Sequence, residues 1–304
     1  MKKLNITKEN KIYFLAGAGA IVYAITSSLT GVVFNILKIT ENIMPMCTVV
    51  YQILCIALGL LYFALQIKHD PEDIKKTLKN HLKGILSITT YLVLSTYTDL
   101  PLRLLRINPQ HLTTAAKVIY LLGYETIMLL ILIMINKTKI KKDIVDIKKN
   151  HKKYYKENLK YWLLALSIMF ITNFIITVTF QSNLSNNETI IREQFQISPL
   201  YIYISAVILG PFIEEIVFRQ SFRNLIKNDT IFIIISGLVF GMMHAFNTET
   251  ITLVDILYII PYSVPGMAFA KMLSKTDNIF TSTGIHLLHN GLMIAMQFVM
   301  YFYL

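Results

Sequence analysis

Charged side chains are scarce in this sequence. Asp, Glu, Lys and Arg make up 15% of the 304 residues, whereas 54% are hydrophobic and the mean hydropathy is +0.54. A water-soluble domain carries about 25% charged residues, because its surface must stay solvated. The scarcity of charge therefore excludes a soluble globular fold. It predicts an all-α, polytopic membrane protein, because helices satisfy their backbone hydrogen bonds without water.

Cysteine is also rare, and it carries no recognisable chemistry. The chain has two cysteines, Cys47 and Cys55, and both fall in the same apolar run. Their spacing matches neither a metal-ligand pair nor a disulfide framework, so we interpret both as packing residues. Internal repeats and low-complexity tracts are missing as well, which excludes a repeat array.

Apolar runs, by contrast, are abundant. Nine of them are long enough to cross the ~30 Å hydrocarbon layer of a membrane as helices. They lie at about 12–37, 45–67, 84–105, 115–136, 161–180, 199–218, 230–247, 252–271 and 279–303. The sequence therefore predicts a transmembrane helical bundle of about nine spans.

Positive charge marks one side of this bundle. The segments 68–83 and 137–160 are both Lys-rich, and basic loops stay in the cytoplasm. An even number of spans must separate them, so both runs between them cross the membrane. This places the N-terminus in the cytoplasm and the C-terminus outside. The net charge of +11 then reflects orientation and attraction to anionic membrane lipid, and it does not indicate a nucleic-acid partner.

The second basic segment divides the chain into two regions. Residues 1–155 form an N-terminal region of four spans with a basic cytoplasmic loop, and residues 156–304 form a C-terminal membrane domain. The outer segment 181–198 is polar and reads as a loop. We predict a multi-pass protein of the plasma membrane, and the Lys, Ile and Asn-rich composition indicates a bacterium. The oligomeric state is left open.

Polar residues inside apolar runs concentrate in the second region. The stretches PFIEEIVFRQ, FGMMHAF and GIHLLHNGL contain Glu214, Glu215, Arg219, His244, His286, His289 and Asn290. A charge in hydrocarbon costs several kcal/mol, so such residues face a protein interior or a wet cavity. The concentration therefore indicates one functional site.

The two adjacent glutamates are expected to differ in role. Residues four apart share a helix face, so Glu215 lies over Arg219 and stays ionised, whereas Glu214 points about 100° away. Glu214 lacks that partner and is the candidate general base. The pair Gly237 and Gly241 is expected to allow another helix to pack closely beside His244.

Two imidazoles and a carboxylate on facing helices are suited to hydrolysis. They hold a metal ion or a water molecule, and a second carboxylate takes the proton of that water. Other intramembrane protease signatures are missing from the sequence: HExxH, the pair of YD and GxGD, and GxSG. These omissions narrow the field of hydrolases.

Three motifs in this order resemble a known family. E-E-x-x-x-R at 214–219, F-x-x-x-H at 240–244 and H-x-x-x-N at 286–290 are similar to the motifs of the CPBP intramembrane proteases. That family includes the CAAX prenyl endopeptidases and the bacterial Abi proteins, some of which are associated with bacteriocin immunity. The resemblance extends over about 160–304, so it assigns no role to the first four spans.

The resemblance implies a catalytic set within an all-helical membrane enzyme, a CAAX-protease-like endopeptidase. Glu214 would activate water, His244 and His286 would position it, and Asn290 would help to stabilise the oxyanion. Glu215 and Arg219 would form a supporting pair. If a metal is used, it would be Zn²⁺ held by His244, His286 and Glu214, and a metal-free glutamate mechanism is left open. The substrate would be a hydrophobic, membrane-associated or lipidated peptide.

Two other functions remain open. A non-catalytic immunity or scaffold protein could keep the same motifs. A proton- or cation-coupled transporter would explain the helix interruptions at Gly210, Pro211, Pro261, Pro265 and Gly266. Loss of peptide cleavage on substitution of the general base separates the enzyme from both.

One feature conflicts with the predicted spans, and one residue is left without a role. If the sixth run ends at 218, Glu214 lies near the cytoplasmic face, whereas His244 lies about 20 Å deep. We therefore expect 220–235 to be partly a cytoplasmic extension. His289 lies three residues from His286 and is a further possible ligand.

Overall fold

A computed structural model of the chain describes residues 71–180, 185–246 and 252–303. Every regular element in these ranges is helical, and they contain no β-strand, which confirms the all-α prediction. The predicted spans at 12–37 and 45–67, with both cysteines, lie outside the described residues.

Eight α-helices follow one another along the described chain. They are α1 (Pro71–Thr96), α2 (Leu100–Leu104), α3 (Thr114–Phe180), α4 (Asn186–Ile197), α5 (Pro199–Leu225), α6 (Asp229–Ala245), α7 (Leu253–Thr276) and α8 (Ile279–Tyr303). Of these, α3, α5 and α7 are long and apolar enough to cross a membrane. The predicted count of about nine spans and the predicted orientation stay predictions.

The predicted run 84–105 is two helices. α1 ends at Thr96, and α2 begins at Leu100 with Pro101 in its first turn. Proline is tolerated there because the first turn of a helix leaves its backbone N–H groups without intrahelical partners. The helix is therefore interrupted by a turn at 97–99, within the run that the sequence predicts to cross the membrane.

The predicted basic loop 136–160 is helical. The runs 115–136 and 161–180 belong to one helix, α3, which has 67 residues. The segment between them contains no Gly or Pro, and its Lys, Glu and Ile residues are compatible with a helix. Predicting a loop there was wrong, because charge indicates solvent contact and does not end a helix.

Contacts along α3 show that it doubles back on itself. Near one end, Glu125 accepts a hydrogen bond of 2.9 Å from Ser205 of α5. Near the other, Trp162 donates one of 3.2 Å to His289 of α8. Ala206 of α5 and Asn290 of α8, the residues that directly follow Ser205 and His289, are joined by a hydrogen bond of 2.8 Å. Glu125 and Trp162 are therefore connected through a short series of contacts. A straight helix would hold Glu125 and Trp162 about 55 Å apart, so the basic segment between them must bend.

Polar contacts fix that bend against the connection between α7 and α8. Asn278 donates hydrogen bonds of 2.9 Å to the Asp143 carbonyl and 2.8 Å to the Asp146 carboxylate. Lys139 forms an ion pair of 2.7 Å with Asp143, whose side chain is buried. Burial raises the pKa of the Asp143 carboxyl group, although the Lys139 ammonium and the Ile279 amide oppose the shift.

The predicted outer loop also contains a helix. α4 occupies 186–197, and its N-cap is Ser185, whose side chain accepts a hydrogen bond from the Glu188 amide. Ser185 is buried. The polar composition of 186–197 thus reflects an amphipathic surface helix with a capped start.

α5 is longer and less regular than its predicted span. It continues to Leu225, seven residues beyond the end of the predicted apolar run at 218. Two π-helical segments, Tyr203–Leu209 and Glu215–Ser221, flank the short α-helical stretch Gly210–Glu214. π-Helical turns are rare and frequently occur at functional sites.

The greater length of α5 places Glu214 and His244 at more similar distances from the ends of their helices than the predicted runs do. Counted from Leu225, Glu214 lies about 16 Å along its helix, close to the roughly 22 Å of His244 along α6. α6 begins at Asp229. That 220–235 is partly a cytoplasmic extension stays a prediction.

Tight packing of α6 against α7 places His244. A Cβ at Gly237 would lie 2.8 Å from the Met267 amide nitrogen, and one at Gly241 would lie 2.7 Å from the Ile259 carbonyl oxygen. Only glycine allows the two backbones to approach this closely. The small-residue pair is therefore an ordinary but necessary packing device.

Candidate active site

The motif residues converge from α5, α6 and α8, with α7 packed beside them. Glu214, Glu215 and Arg219 lie on α5, His244 on α6, and His286 with Asn290 on α8. The structure brings five of these six side chains into one chain of contacts around the His286 ring. Asn290 is one turn further along α8.

Glu215 and Arg219 form a fully buried ion pair. The Glu215 Oε1 and the Arg219 Nε atoms are 3.3 Å apart, and both side chains are 0% exposed. This contact lacks the alignment of a hydrogen bond, and no described residue forms a hydrogen bond with the guanidinium. The ion pair is therefore stabilised by the attraction between its charges and by the side chains packed around the guanidinium.

Two aromatic rings surround the guanidinium. The Arg219 Cζ atom lies 4.3 Å from the ring centroid of Phe240 and 5.5 Å from that of Phe269. A desolvated cation against the face of an aromatic ring is stabilised by the ring quadrupole. This contact explains why a phenylalanine begins the F-x-x-x-H motif.

His286 bridges the two adjacent glutamates. Its Nδ1 atom is 3.0 Å from the Glu215 Oε1 atom, and its Nε2 atom is 3.5 Å from the Glu214 Oε2 atom. A carboxylate only accepts, so an ionised Glu215 requires the proton on Nδ1. The two carboxylates diverge along α5, as predicted, but they reach opposite edges of one imidazole.

The contact between Glu214 and His286 is an approach and not a hydrogen bond, because the Glu214 Oε2 atom, 3.5 Å from Nε2, has no hydrogen-bond partner among the described residues. With Nδ1 protonated, a neutral His286 directs a lone pair at Glu214. The contact is favourable if His286 also carries a proton on Nε2 or if Glu214 carries one. The Glu214 side chain is 21% exposed, whereas that of Glu215 is 0% exposed. Of the two carboxylates, Glu214 is the one that water can reach.

His244 has a defined tautomer as well. Its Nδ1 atom lies 2.9 Å from the Phe240 carbonyl oxygen, which only accepts, so Nδ1 carries a proton. In the neutral ring, Nε2 is then left as an acceptor. The Phe240 ring packs against the rings of both histidines, at 4.2 Å from His244 and 5.8 Å from His286.

Asn290 and His289 both bond to structural partners. Asn290 donates a hydrogen bond of 2.8 Å to the Ala206 carbonyl, which leaves its second N–H for another acceptor. His289 is buried and accepts its hydrogen bond from Trp162 of α3. His289 therefore helps to attach α8 to α3 in this structure.

The arrangement does not fit a zinc site. Zinc requires about three protein ligands at roughly 2.0–2.3 Å, but both nitrogens of His286 face carboxylates. Among the described residues, no three His, Cys, Asp or Glu side chains form a group that could hold a metal ion. Zinc held by His244, His286 and Glu214 stays a prediction from the sequence, and no chemistry below is derived from it.

Sequence reasoning missed two aromatic residues of the site, both on α7. Phe269 stacks on His286, with ring centroids 4.5 Å apart at 24°, and Tyr262 stacks on His244 at 5.4 Å and 29°. Neither lies in a motif, and in a chain with 12% aromatic residues neither stands out.

Comparison with known proteins agrees with the three motifs. Residues 196–292, which include all six predicted site residues, match the family of type II CAAX prenyl endopeptidase Rce1-like proteins. No solved structure matches the chain.

Similar curated proteins come from bacteria. The chain is 30% identical over 116 residues to the putative membrane peptidase YdiL of Bacillus subtilis (strain 168), a match that covers 37% of this chain and 43% of that protein. It is 28% identical over 195 residues to the membrane-embedded CAAX protease MroQ of Staphylococcus aureus (strain USA300), covering 59% and 72%. It is 26% identical over 258 residues to the UPF0177 protein YvdC of Lactococcus lactis subsp. lactis (strain IL1403), covering 80% and 93%.

The match to YdiL spans less than half of that relative, so its activity is not transferred whole. The family resemblance itself rests on residues that the structure brings together. It is confirmed over residues 196–292, the part of the chain that matches the Rce1-like CAAX protease family.

Proposed function

We propose that this protein is an intramembrane endopeptidase that hydrolyses a peptide bond with a water molecule activated by Glu214. One observation carries the proposal: the water-accessible Glu214 and the buried Glu215 contact opposite nitrogens of His286. A general base must be within reach of the water that it deprotonates, and of the two carboxylates only that of Glu214 is exposed.

The first step is attack on the peptide carbonyl. Glu214 takes a proton from water while the water oxygen bonds to the carbonyl carbon. His244 accepts a second hydrogen bond from the same water at Nε2, which orients the attacking lone pair. The resulting oxyanion is stabilised by the second N–H of Asn290.

The second step is collapse of the tetrahedral intermediate. The C–N bond breaks, and Glu214 returns its proton to the leaving amine. Glu215 and Arg219 exchange no proton in either step. They hold His286 with Nδ1 protonated, so that Nε2 always faces Glu214.

The substrate is proposed to be a hydrophobic or lipidated peptide in the plasma membrane of a bacterium. This rests on three apolar helices long enough to span a membrane and on the names of the similar proteins, one of which is a membrane-embedded CAAX protease. We also propose a role in bacteriocin immunity. This role can be tested once the peptidase activity has been measured.

The test is Glu214→Gln in purified full-length protein reconstituted in liposomes. We expect turnover of a fluorogenic peptide, prenylated or unmodified, to fall by at least about 10²-fold, because the amide accepts no proton at neutral pH. Glu157→Gln, at an exposed position on α3, is the matched control and should leave turnover unchanged.

The fluorescence of Trp162, the single tryptophan of the chain, reports whether each variant is folded. Folded Glu214→Gln with near-normal turnover would exclude Glu214 as the base. Wild-type protein without turnover on any peptide would instead favour the non-catalytic alternative.

A further inference from the structure

His244 is held by more than its own helix. Its hydrogen bond to the Phe240 carbonyl fixes one edge of the imidazole, but a single bond also acts as a pivot. The Tyr262 ring stacks on this imidazole, with centroids 5.4 Å apart and the planes at 29°. A second aromatic face restricts the tilt of the ring and hence the direction of Nε2.

Tyr262 is itself anchored at the other end of its ring. Its hydroxyl group lies 2.6 Å from the Ser185 Oγ atom, a hydrogen bond in which either oxygen donates. Ser185 is only 7% exposed, and as the N-cap of α4 its Oγ atom also accepts from the Glu188 amide. The anchor is therefore part of a defined helix start and not a free surface hydroxyl.

We propose that Tyr262 is a positioning residue for His244 and that Ser185 holds Tyr262 in place. The proposal rests on the function proposed above, in which His244 accepts a hydrogen bond from the attacking water. It extends the site to Ser185, outside the segment 196–292 that matches the family. The outer helix α4 thereby becomes connected to the chemistry by two contacts.

The roles of ring and hydroxyl are separable by substitution. Tyr262→Leu removes both the stacking face and the hydroxyl. Tyr262→Phe keeps the ring and removes the hydroxyl that bonds to Ser185. Ser185→Ala removes the same bond from the other side, together with the N-cap bond from the Glu188 amide. Tyr124→Phe is the matched control, since it removes a tyrosine hydroxyl bond of 2.9 Å, to the Leu94 carbonyl, away from His244.

Each variant is measured as full-length protein in liposomes, with kcat and KM determined separately across a range of pH. We expect Tyr262→Leu to lower kcat by about tenfold or more with little change in KM, because misplacement of a positioning group slows chemistry rather than binding. The acidic limb of its pH–kcat profile should also move, which loss of packing elsewhere would not cause. Tyr124→Phe should change neither kcat nor the profile.

The two single-bond variants provide an independent test. Tyr262→Phe should lower kcat by a small factor, about two- to threefold, and Ser185→Ala by at least that factor, because it also removes the N-cap of α4. The double variant should be no slower than Ser185→Ala, since the bond to Tyr262 is already absent there. If Tyr262→Leu does not fold, this double-mutant cycle still tests whether Tyr262 and Ser185 act through their shared hydrogen bond.

Normal kcat in folded Tyr262→Leu, or additive effects of the two single-bond variants, would overturn the proposal. Normal kcat in both single-bond variants would overturn the role of Ser185. Each variant is compared with the wild-type protein, whose peptide turnover must first be shown to depend on Glu214. If the wild-type protein has no such turnover, the proposed peptidase function fails, and this result is distinct from a failure of the proposal for Tyr262.

Discussion

The buried ion pair of Glu215 and Arg219 predicts a large and specific loss of stability. Arg219→Met keeps most of the apolar stem of the side chain and removes the guanidinium. It leaves the Glu215 carboxylate, which is 0% exposed, without its cation. Removing one partner of a buried pair costs about 3–5 kcal/mol, mainly because the other charge is left uncompensated. We expect the free energy of unfolding to fall by that amount.

Arg223 provides a matched control on the same helix. It forms an ion pair with Asp229 at 2.7 Å, shorter than the 3.3 Å of the buried pair, but its side chain is 27% exposed and that of Asp229 is 55% exposed. Exposed pairs contribute about 0–1 kcal/mol, because water screens the charges and solvates either one alone. Arg223→Met should therefore cost far less than Arg219→Met, although its contact is closer.

A double variant tests the stated cause. If the stranded carboxylate is what destabilises Arg219→Met, then adding Glu215→Gln should recover part of the loss, since glutamine carries no charge and still accepts from His286. Unfolding is followed by Trp162 fluorescence in detergent micelles with increasing denaturant. The reasoning is refuted if Arg219→Met loses no more stability than Arg223→Met, or if the double variant is less stable than Arg219→Met.

Two further predictions concern packing and pH. Gly241→Ala should destabilise the protein in the same unfolding assay, because its Cβ would lie 2.8 Å from the Ser263 amide nitrogen, whereas Gly123→Ala, with nothing within 4 Å, should be neutral or stabilising; equal effects would contradict this. The Asn278 hydrogen bond holds the pKa of the Asp146 carboxyl below its ordinary value of 3.8. Because the folded-state pKa is the lower one, this stabilisation is complete above pH 3.8 and is lost as the pH falls through the folded-state value. Wild type should thus exceed Asp146→Asn in unfolding free energy at neutral pH, and the difference should shrink in strong acid; a constant difference would contradict it.

Much of the fold was predictable because hydrophobicity and helix periodicity are local properties. The helical class and the approximate positions of α5 to α8 follow from the apolar runs. Helix ends were less predictable. The apolar run predicts a sixth span that ends at 218, but Arg219 is buried by Phe240 and Phe269, and α5 continues past it.

The long helix α3 illustrates the same limit. Its Lys-rich middle predicts a loop, since charge and exposure go together. Helix formation depends instead on the backbone, and no residue in that segment breaks it. The return of α3 is fixed by contacts with residues more than one hundred positions away, such as that between Asp143 and Asn278, which no local pattern contains.

The sequence by itself determined which residues are unusual. Charged and imidazole side chains in apolar runs are expensive, so their presence at 214–219, 244 and 286–290 indicated a site, and the spacing of four residues predicted the contact between Glu215 and Arg219. Tertiary structure decided how the helices meet. It placed one imidazole between two carboxylates, exposed Glu214 and buried Glu215, and added Phe269, Tyr262 and Ser185 to the site. These assignments depend on distances between separate helices, and a one-dimensional pattern does not specify such distances.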